Sequence, residues 1–539
     1  MSNFNDARVR FANDRPINPA GKYVLYWCQA YRRFDRNFAL DEAVAQAQAL
    51  KKPLVVYEGL KLNYPWASAR THQFMLEGMA ESVQAAAKLG LHYWPFVETP
   101  EHSGRGLLRK LCESACLLIT DDYPQFIVPA QIRTIAAKVG IAAWAVDGNS
   151  LVPLKLLGPA TPSAAHLRPR IRKHFAEAWN NRAIAEPDFE SVRGPKILRA
   201  PFPGWKPPAD LSDFVKSLPI DQSVPAVPGA IGGSREGRKV LAEFLKHKLY
   251  RYSDERSLPD DPERNSASGL SPYLRHGHIS IQEVVERTFG DEWTPADINP
   301  KAFGRDDYFS RDPNVNSFLD EAITWRDVGM QTNFVRSVQC SVSSVQKNRS
   351  WQERGEQPSF NFETFDFSPL GEKGTLAAVL PPWATASLNK HASDPRELVY
   401  SLEEFENAET HDQLWNAAQK ELVATGRIHN YLRMLWAKKV LEWSHTPEEA
   451  YRVLEHLNNK YAIDGRDPNS YSGILWCFGL FDRPWPERKI FGVIRYMSSA
   501  NTLKKFKMNG YLEYVERLPS VNEVRAGRTA MAKPNTLFE

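Results

Sequence analysis

The sequence predicts a chain of two folded parts: an α/β N-terminal domain of Rossmann-like, parallel-sheet type, then an all-α C-terminal domain, joined by a long connector. Three observations carry this. Up to Asp147, short β-rich runs alternate with helical stretches; residues 151–234 are rich in proline, glycine and arginine; after Gly233, apolar residues recur at spacings of three and four. Strands separated by helices imply right-handed crossovers and a parallel sheet covered on both faces. The expected boundaries are 1–155 for the α/β domain, 156–232 for the connector, 233–520 for the helical domain with an insertion at about 341–374, and 521–539 for a tail.

In order, residues 1–20 are polar and read as frayed. KYVLYW, PLVVYEG, LHYWPFVE, CLLIT and IAAWAVD are the strand runs, and the stretches between them have helical periodicity. No GxGxxG and no GxxxxGK[ST] occurs in this part, so the pattern supports the shape without a dinucleotide or triphosphate site. PSAAHLRPRIRK and RAPFPGWKPPADL belong to a connector expected to run over the surface. REGRKVLAEFLKHKLYRYSDER, SIQEVVERTF, VNSFLDEAITWRDVGM and the region from Leu414 onward read as helices. The polar residues 341–374 interrupt them without sustained periodicity.

At 539 residues the chain is long enough for several domains, each with a core. A formal charge of +4 permits polyanion binding without requiring it. Five scattered cysteines argue against a disulfide framework and for a reducing compartment. Cys112 and Cys116 could share a helical face, but no histidine or further cysteine stands at metal spacing, so no metal is expected. No apolar run approaches the ~18 residues of a membrane span. A cytoplasmic protein is expected.

Fifteen tryptophans are the compositional outlier, and five of them (Trp415, Trp436, Trp443, Trp476 and Trp485) fall in the stretch Leu414–Tyr496. Arg433 and Asp464 sit there in apolar patterns, where a charge needs a partner. Indoles around a few polar groups suit a planar, redox-active or base-like ligand. Trp436 and Trp443, seven apart, lie on one helical face about 10.5 Å apart along the axis; a core stripe accounts for the same spacing. In SASGLSPYLRHGHIS, Ser268, Gly269 and Ser271 would present hydroxyls and free amides at a helix start, a way to hold phosphate. Taken alone, a capped helix start is the favoured reading of them. Glu321 and Trp325, four apart in FLDEAITWRDV, could together contact a base. Arg483 and Arg495 flank Trp485 among many lysines and arginines, as phosphate binding or a solvated face would have it.

Taken together, LSPYLRHGHIS, WNAAQKELVATGRIH, RMLWAKKVLEW, LNNKYAIDGRDPNSY and FGVIRYM resemble the class II branch of the DNA photolyase/cryptochrome family, with YVLYWCQAYRRFDRNFAL extending the likeness to the N-terminal part. The resemblance spans roughly Lys22 to Tyr514. It implies an α/β antenna domain and a helical domain holding reduced FAD in a U-shaped conformation. Tyr252 and Ser268, Gly269, Leu270 and Ser271 match the FAD phosphate-binding elements. Asn430, Arg433, Asp464 and Asp467 match residues around the isoalloxazine and adenine, with Arg433 and Asp464 as a buried ion pair. Asn458 matches the asparagine facing flavin N5, where a neutral amide can donate or accept.

The same resemblance makes Glu321, Trp325, Met434 and Trp476 the walls and polar anchor of a lesion pocket. Arg483 and Arg495 would hold the DNA backbone and fill the gap left in the duplex by the flipped-out dimer. Trp415, Trp436 and Trp443 match electron-transfer tryptophans in spacing. The implied activity is that of a carbon–carbon lyase: light-driven repair of cyclobutane pyrimidine dimers in UV-damaged double-stranded DNA, with the dimer flipped out. An antenna chromophore of deazaflavin or folate type stays unassigned, because the first domain has no diagnostic motif. A monomer is the default, nucleoid-associated in a bacterium and nuclear in a eukaryote. Two departures from the family's pattern are the long 341–374 region and Asp327, where a glutamate is more usual. The iron–sulfur branch needs more cysteines than Cys340 and Cys477 in the helical part. The alternatives are a cryptochrome-like photoreceptor, which usually loses lesion-pocket residues or gains a long tail, and repair of the (6-4) photoproduct, which favours pocket histidines.

Overall fold

The computed structural model describes residues 4–194, 198–302, 306–338 and 375–528. The expected insertion at 341–374 and Cys340 lie outside the described residues. The N-terminal part is a six-stranded sheet in the order β1 (Val9–Phe11), β6 (Ala143–Val146), β5 (Ala115–Asp121), β2 (Tyr23–Cys28), β3 (Leu54–Leu60), β4 (His92–Val97). All neighbours run parallel except β1, which pairs antiparallel with β6. All seven residues of β5 are buried, the mark of a strand covered on both faces. The parallel part of the sheet starts at β2, winds outward through β3 and β4, then crosses to β5 and β6. That places the switch point between β2 and β5, where α/β sheets characteristically bind ligands beyond the carboxyl ends of their strands.

The crossover helices begin and end where their sequences dictate. The helix Phe38–Leu50 is N-capped by Asn37, whose side chain accepts from the amides of Ala39 and Leu40. The helix Ala69–Leu89 opens with a Ser68–Thr71 capping box and closes at Gly90, which takes the left-handed conformation at φ 64°.

Three expectations are corrected. Residues 1–20 are not simply frayed: β1 closes one sheet edge, and Arg8 is buried with its guanidinium donating to the carbonyls of Asp147, Ser150 and Leu151. The polar composition concealed this because Arg8 satisfies its donors on backbone. The connector is more than a surface wrap. Its Ala164–Asn180 segment is a helix despite Pro169, and Leu167, Ile171, Phe175, Ala178 and Trp179 lie on its buried face. That face joins the main core, which runs from the sheet into Phe244, Tyr252, Tyr273 and Leu319 of the helical part. Cys112 and Cys116 share no helical face, since Cys112 ends the Leu107–Cys112 helix and Cys116 lies in β5.

From Ser234 onward the described residues are helical and turn segments, packed around a second core that contains Trp415, Trp436 and Trp443. The start of the expected tail belongs to this packing: Val521–Arg525 is a capped helix with Val521 and Val524 buried. No helix of the described residues is long and apolar enough to cross a membrane.

One close backbone approach fixes the two parts together. Gly277 (φ 71°) lies so near the loop after β2 that a Cβ there would collide with the Ala30 carbonyl oxygen. Arg33 donates to the Gly277 carbonyl at 3.0 Å. A side chain here meets backbone rather than a movable group, and its φ is strained as well. Gly277→Ala should therefore destabilise the protein by about 3 kcal/mol or more, read as a lowered midpoint in thermal unfolding.

Candidate active site

A cavity of about 730 Å³ opens in the helical part. A second one of about 340 Å³ shares the walls Tyr252, Ser268, Leu270, Ser271, Arg433 and Asp464 with it, so the two are continuous. Fifteen sequence-predicted residues meet at the larger cavity. They are Tyr252, Ser268, Leu270 and Ser271, with Asn430, Arg433, Asn458, Asp464 and Asp467, and Glu321, Trp325, Met434, Trp436, Trp476 and Arg495. Gly269 lines the smaller cavity. Trp415 and Trp443 lie behind Trp436 in the core, and Arg483 is exposed outside the mouth.

The charges in the wall are paired as expected. Arg433, on the helix Asn430–Trp443, reaches Asp464 at 3.4 Å. Burial opposes ionisation of Asp464, but Arg433, the Ser271 hydroxyl and Arg427 hold its carboxyl below the usual range. Among the described residues the buried Arg433 Nε has no hydrogen-bond partner, a donor left for a bound group. Ser271 begins a short helix whose N-cap, Leu270, provides no side-chain hydrogen bond, so the first amides are uncapped. Gly269 takes φ 72°, and Arg427 donates to its carbonyl at 2.6 Å. Asp467 has a second duty: it caps the helix Pro468–Trp476 and accepts from the Tyr123 hydroxyl of the α/β part at 2.6 Å. An orphaned arginine donor, uncapped amides, a neutral Asn458 and an indole wall fit the expected flavin.

Glu321 and Trp325 are positioned by a π-helix over Asp320–Trp325, set within a continuous helical run over residues 313–338. An α-helical spacing was expected. The wider turn carries both residues to the cavity, and π-bulges frequently mark functional sites. Arg256 holds the Glu321 carboxylate at 2.7 Å. Trp325 is 38% exposed, an indole face left open at the cavity mouth.

The three core tryptophans do not run in helical order. The Trp415 ring lies parallel to Trp436, with centroids 6.4 Å apart, and edge-on to Trp443 at 6.1 Å. The path is therefore Trp436, Trp415, Trp443, with Trp415 from the preceding helix filling the gap along the Trp436–Trp443 helix. The Trp415 indole N–H donates to the Trp436 carbonyl and that of Trp436 to Gln419, each at 3.0 Å, which fixes both rings. Trp443 is itself buried; Tyr400 and His411 pack against it at 5.6 and 5.0 Å on the outer side.

Sequence reasoning missed Arg256, Arg427 and Gln419. Arg256 follows Tyr252 by four residues, one helical turn, which could have marked it. Arg427 and Gln419 lie in motifs already singled out, but only tertiary contact distinguishes them from their neighbours. It also missed a third cavity, of about 650 Å³, at the carboxyl ends of β2 and β3. Trp27, Gln29, Tyr57 and Leu60 line it from the sheet, while Arg275, His276 and Arg466 close it from the helical part. The Arg466 Nη2 and His276 Nδ1 are buried without partners there. Burial lowers the Arg466 guanidinium to about 10. Among the described residues no group of three or more histidine, cysteine, aspartate or glutamate side chains could hold a metal.

Comparison with known proteins gives a consistent likeness. The chain matches no protein-family model. It is 32% identical over 515 residues to the deoxyribodipyrimidine photo-lyase of Methanothermobacter thermautotrophicus, covering 95% of this chain and 98% of that one. It is 31% identical to that of Arabidopsis thaliana (94% and 92%) and 30% to that of Oryza sativa subsp. japonica (99% and 94%). Among solved structures it is similar to a class III photolyase from Agrobacterium tumefaciens (TM-score 0.57, 17% identity, 96% and 91% covered) and a Synechocystis cryptochrome (0.59, 14%, 93% and 91%). At such identities these two show the fold.

Asp327 adjoins the π-helix and is buried. Its Oδ1 accepts from Ser150 at 2.5 Å, and its Oδ2 has no partner. Burial, against the pull of Arg326, pushes its carboxyl from 3.8 up to about 7. A raised folded value means the ionised form is disfavoured in the fold: stability is lost as pH rises from 3.8 to about 7, and the full cost stands above that. Asp327→Asn should therefore gain on the wild type by about 2 kcal/mol between pH 5 and pH 8, checked by thermal unfolding of both proteins at the two values.

Proposed function

The chain belongs to the deoxyribodipyrimidine photo-lyase family, and from that premise we propose that it uses light to split cyclobutane pyrimidine dimers in UV-damaged DNA. The observation that carries this reading is that the residues suited to a flavin and those suited to a pyrimidine dimer line one cavity. When bound there, reduced FAD supplies an electron to the dimer under light and recovers it once the ring has opened, so the reaction is redox-neutral. The chain's own work is binding, orientation and electrostatics.

Arg433 and Asp464 bind the flavin rings as a pair of no net charge, and Asn458 offers an amide that serves either redox state. Tyr252, Ser268, Gly269, Leu270 and Ser271 hold the phosphates by hydroxyls and uncapped amides. Asn430 and Asp467 complete that wall. In the same cavity, Trp325 and Trp476 stack on a dimer turned out of the duplex, as base-acting enzymes including photolyases require. Met434 fills the space between them. Glu321, fixed by Arg256, accepts hydrogen bonds from base edges. Arg483 and Arg495 lie at the mouth, and among the described residues neither has a carboxylate within ion-pair distance; both meet the DNA backbone and the gap left in it. Trp443, Trp415 and Trp436 conduct electrons from the protein exterior to the cavity wall. The cavity at the sheet's switch point, walled on the helical side by Arg275, His276 and Arg466, takes an anionic, planar antenna chromophore.

The decisive test mixes chemically reduced, FAD-loaded protein with duplex DNA containing a thymine dimer, under blue light and in the dark. Thymine absorbance should return only in the light; no repair with flavin bound and reduced would overturn the proposal. Trp436→Phe should reduce the photoreduction of oxidised FAD at least tenfold, on the order of a lost hopping step, yet leave repair by chemically reduced protein unchanged. Transient absorption of the tryptophan radical checks the first half and the repair assay the second.

A further inference from the structure

The helix that presents Arg433, Met434 and Trp436 to the cavity also carries a lysine with no exposed surface. Lys438 donates to the Cys477 carbonyl at 2.5 Å and has no carboxylate within ion-pair distance among the described residues. A buried amine without a counter-ion is costly and calls for a reason. Its nitrogen stands 5.4 Å from the ring centre of Trp476. Beyond that ring comes Arg495, 5.5 Å from Trp476 and 5.0 Å from Trp485, and beyond Trp485 comes Arg483 at 5.3 Å. Cation and indole alternate five deep, from the core beside the cavity to the exposed mouth.

The surroundings pin this ladder. The Trp485 amide donates to the Val493 carbonyl at 2.8 Å, and its indole N–H and the Arg483 amide both reach Asp482 Oδ1. The outer rungs are thus set by two hydrogen-bonded turns, while Trp476 packs against the core with Lys438 as the cation at its inner end.

We propose that Lys438 is a positioning residue for lesion binding, whose buried ammonium anchors the inner end of a cation–indole ladder and sets the face that Trp476 offers to the dimer. This rests on the repair reading above. An indole between two cations is both fixed in orientation and surrounded by positive potential, which suits phosphates and electron-rich bases. Deprotonation of Lys438 removes one of those cations and leaves Trp476 held from one side. The titratable or charged side chains acting on Lys438 are Cys477, Asp482 and Arg495; burial outweighs them and brings the amine down to about 8. The ammonium is therefore present below that pH and lost above it.

The test measures equilibrium binding of FAD-loaded protein to dimer-containing and undamaged duplexes, by fluorescence anisotropy in the dark from pH 6.5 to 9.5. Wild-type preference for the damaged duplex should fall about tenfold across this range, the order expected for one desolvated cation–indole contact. Lys438→Gln keeps a donor for the Cys477 carbonyl without the charge; it should show the weaker preference at every pH, with undamaged binding unchanged. Asp482→Asn removes the carboxylate that supports the ammonium and should move the wild-type midpoint to lower pH. A Lys438→Gln variant with wild-type preference and profile would overturn the proposal. Should that variant fail to fold, a wild-type preference flat across the range, or a midpoint unmoved in Asp482→Asn, would overturn it equally. Wild-type protein that neither prefers damaged DNA nor repairs it would instead remove the repair reading itself.

Discussion

The turn Asp464–Asp467 is the constraint on which the rest of the structure depends. Within four residues it makes the ion pair with Arg433, accepts Arg275 at the Gly465 carbonyl, buries Arg466 between the two parts, and ties Asp467 to Tyr123. Arg466 takes φ 65°, and a Cβ on Gly465 would stand 2.8 Å from the Asn458 carbonyl oxygen. Such a turn is unfavourable alone and persists because its surroundings over-determine it. It is also the partition between two cavities: Asp464 and Asp467 face the larger, Arg466 the one at the sheet's switch point. In the proposed reaction, the wall that positions the flavin is thus the wall that would face an antenna.

Much of this was legible in the sequence because the signals were local. Alternating apolar runs determine the parallel sheet, and the charged pair Arg433 and Asp464 announces itself by standing in apolar patterns. Most of the residues expected around a flavin and a lesion line one cavity, since they were anchored in motifs with their own periodicity. What escaped was long-range. Nothing in the polarity of residues 1–20 says that Arg8 will find three carbonyls near residue 150, and nothing in PSAAHLRPRIRK says that its apolar side will complete the core. Proline content misled, because the helix runs on through Pro169 despite the missing N–H, and burial of its apolar face outweighs that loss. The order of the core tryptophans was equally hidden: helical spacing places Trp436 and Trp443 on one face, but only packing inserts Trp415 between them.

The π-helix illustrates how a local irregularity serves a site. An α-helix through Asp320–Trp325 would already place Glu321 and Trp325 near each other, so their spacing carries no cue to the departure. The wider turn leaves Asp320 free to pair with Arg168 of the connector helix at 2.7 Å, while Glu321 turns to Arg256. Adjacent carboxylates are thereby sent to opposite sides. One ties the wall to the core, and the other stays at the cavity.

The two sets of tryptophans in the helical part differ in their electrostatics, and the difference assigns them different work. Loss of an electron turns an indole into a cation radical, which neighbouring positive charge disfavours. Trp436 and Trp415 have neutral partners, the Gln419 amide and a backbone carbonyl. At Trp443 the nearby Lys439 is neutralised by Glu442 at 2.7 Å. Trp476, by contrast, lies between Lys438 and Arg495, neither of them paired with a carboxylate among the described residues. At roughly 5 Å even a well-screened cation shifts such an equilibrium by about 1 kcal/mol, and two compound the effect. Both Trp436 and Trp476 line the same cavity, so distance alone would let either serve as electron donor. Charge separates them: in the proposed reaction the neutral path through Trp415 is the one suited to conduct, and the cation-flanked indole the one suited to stacking.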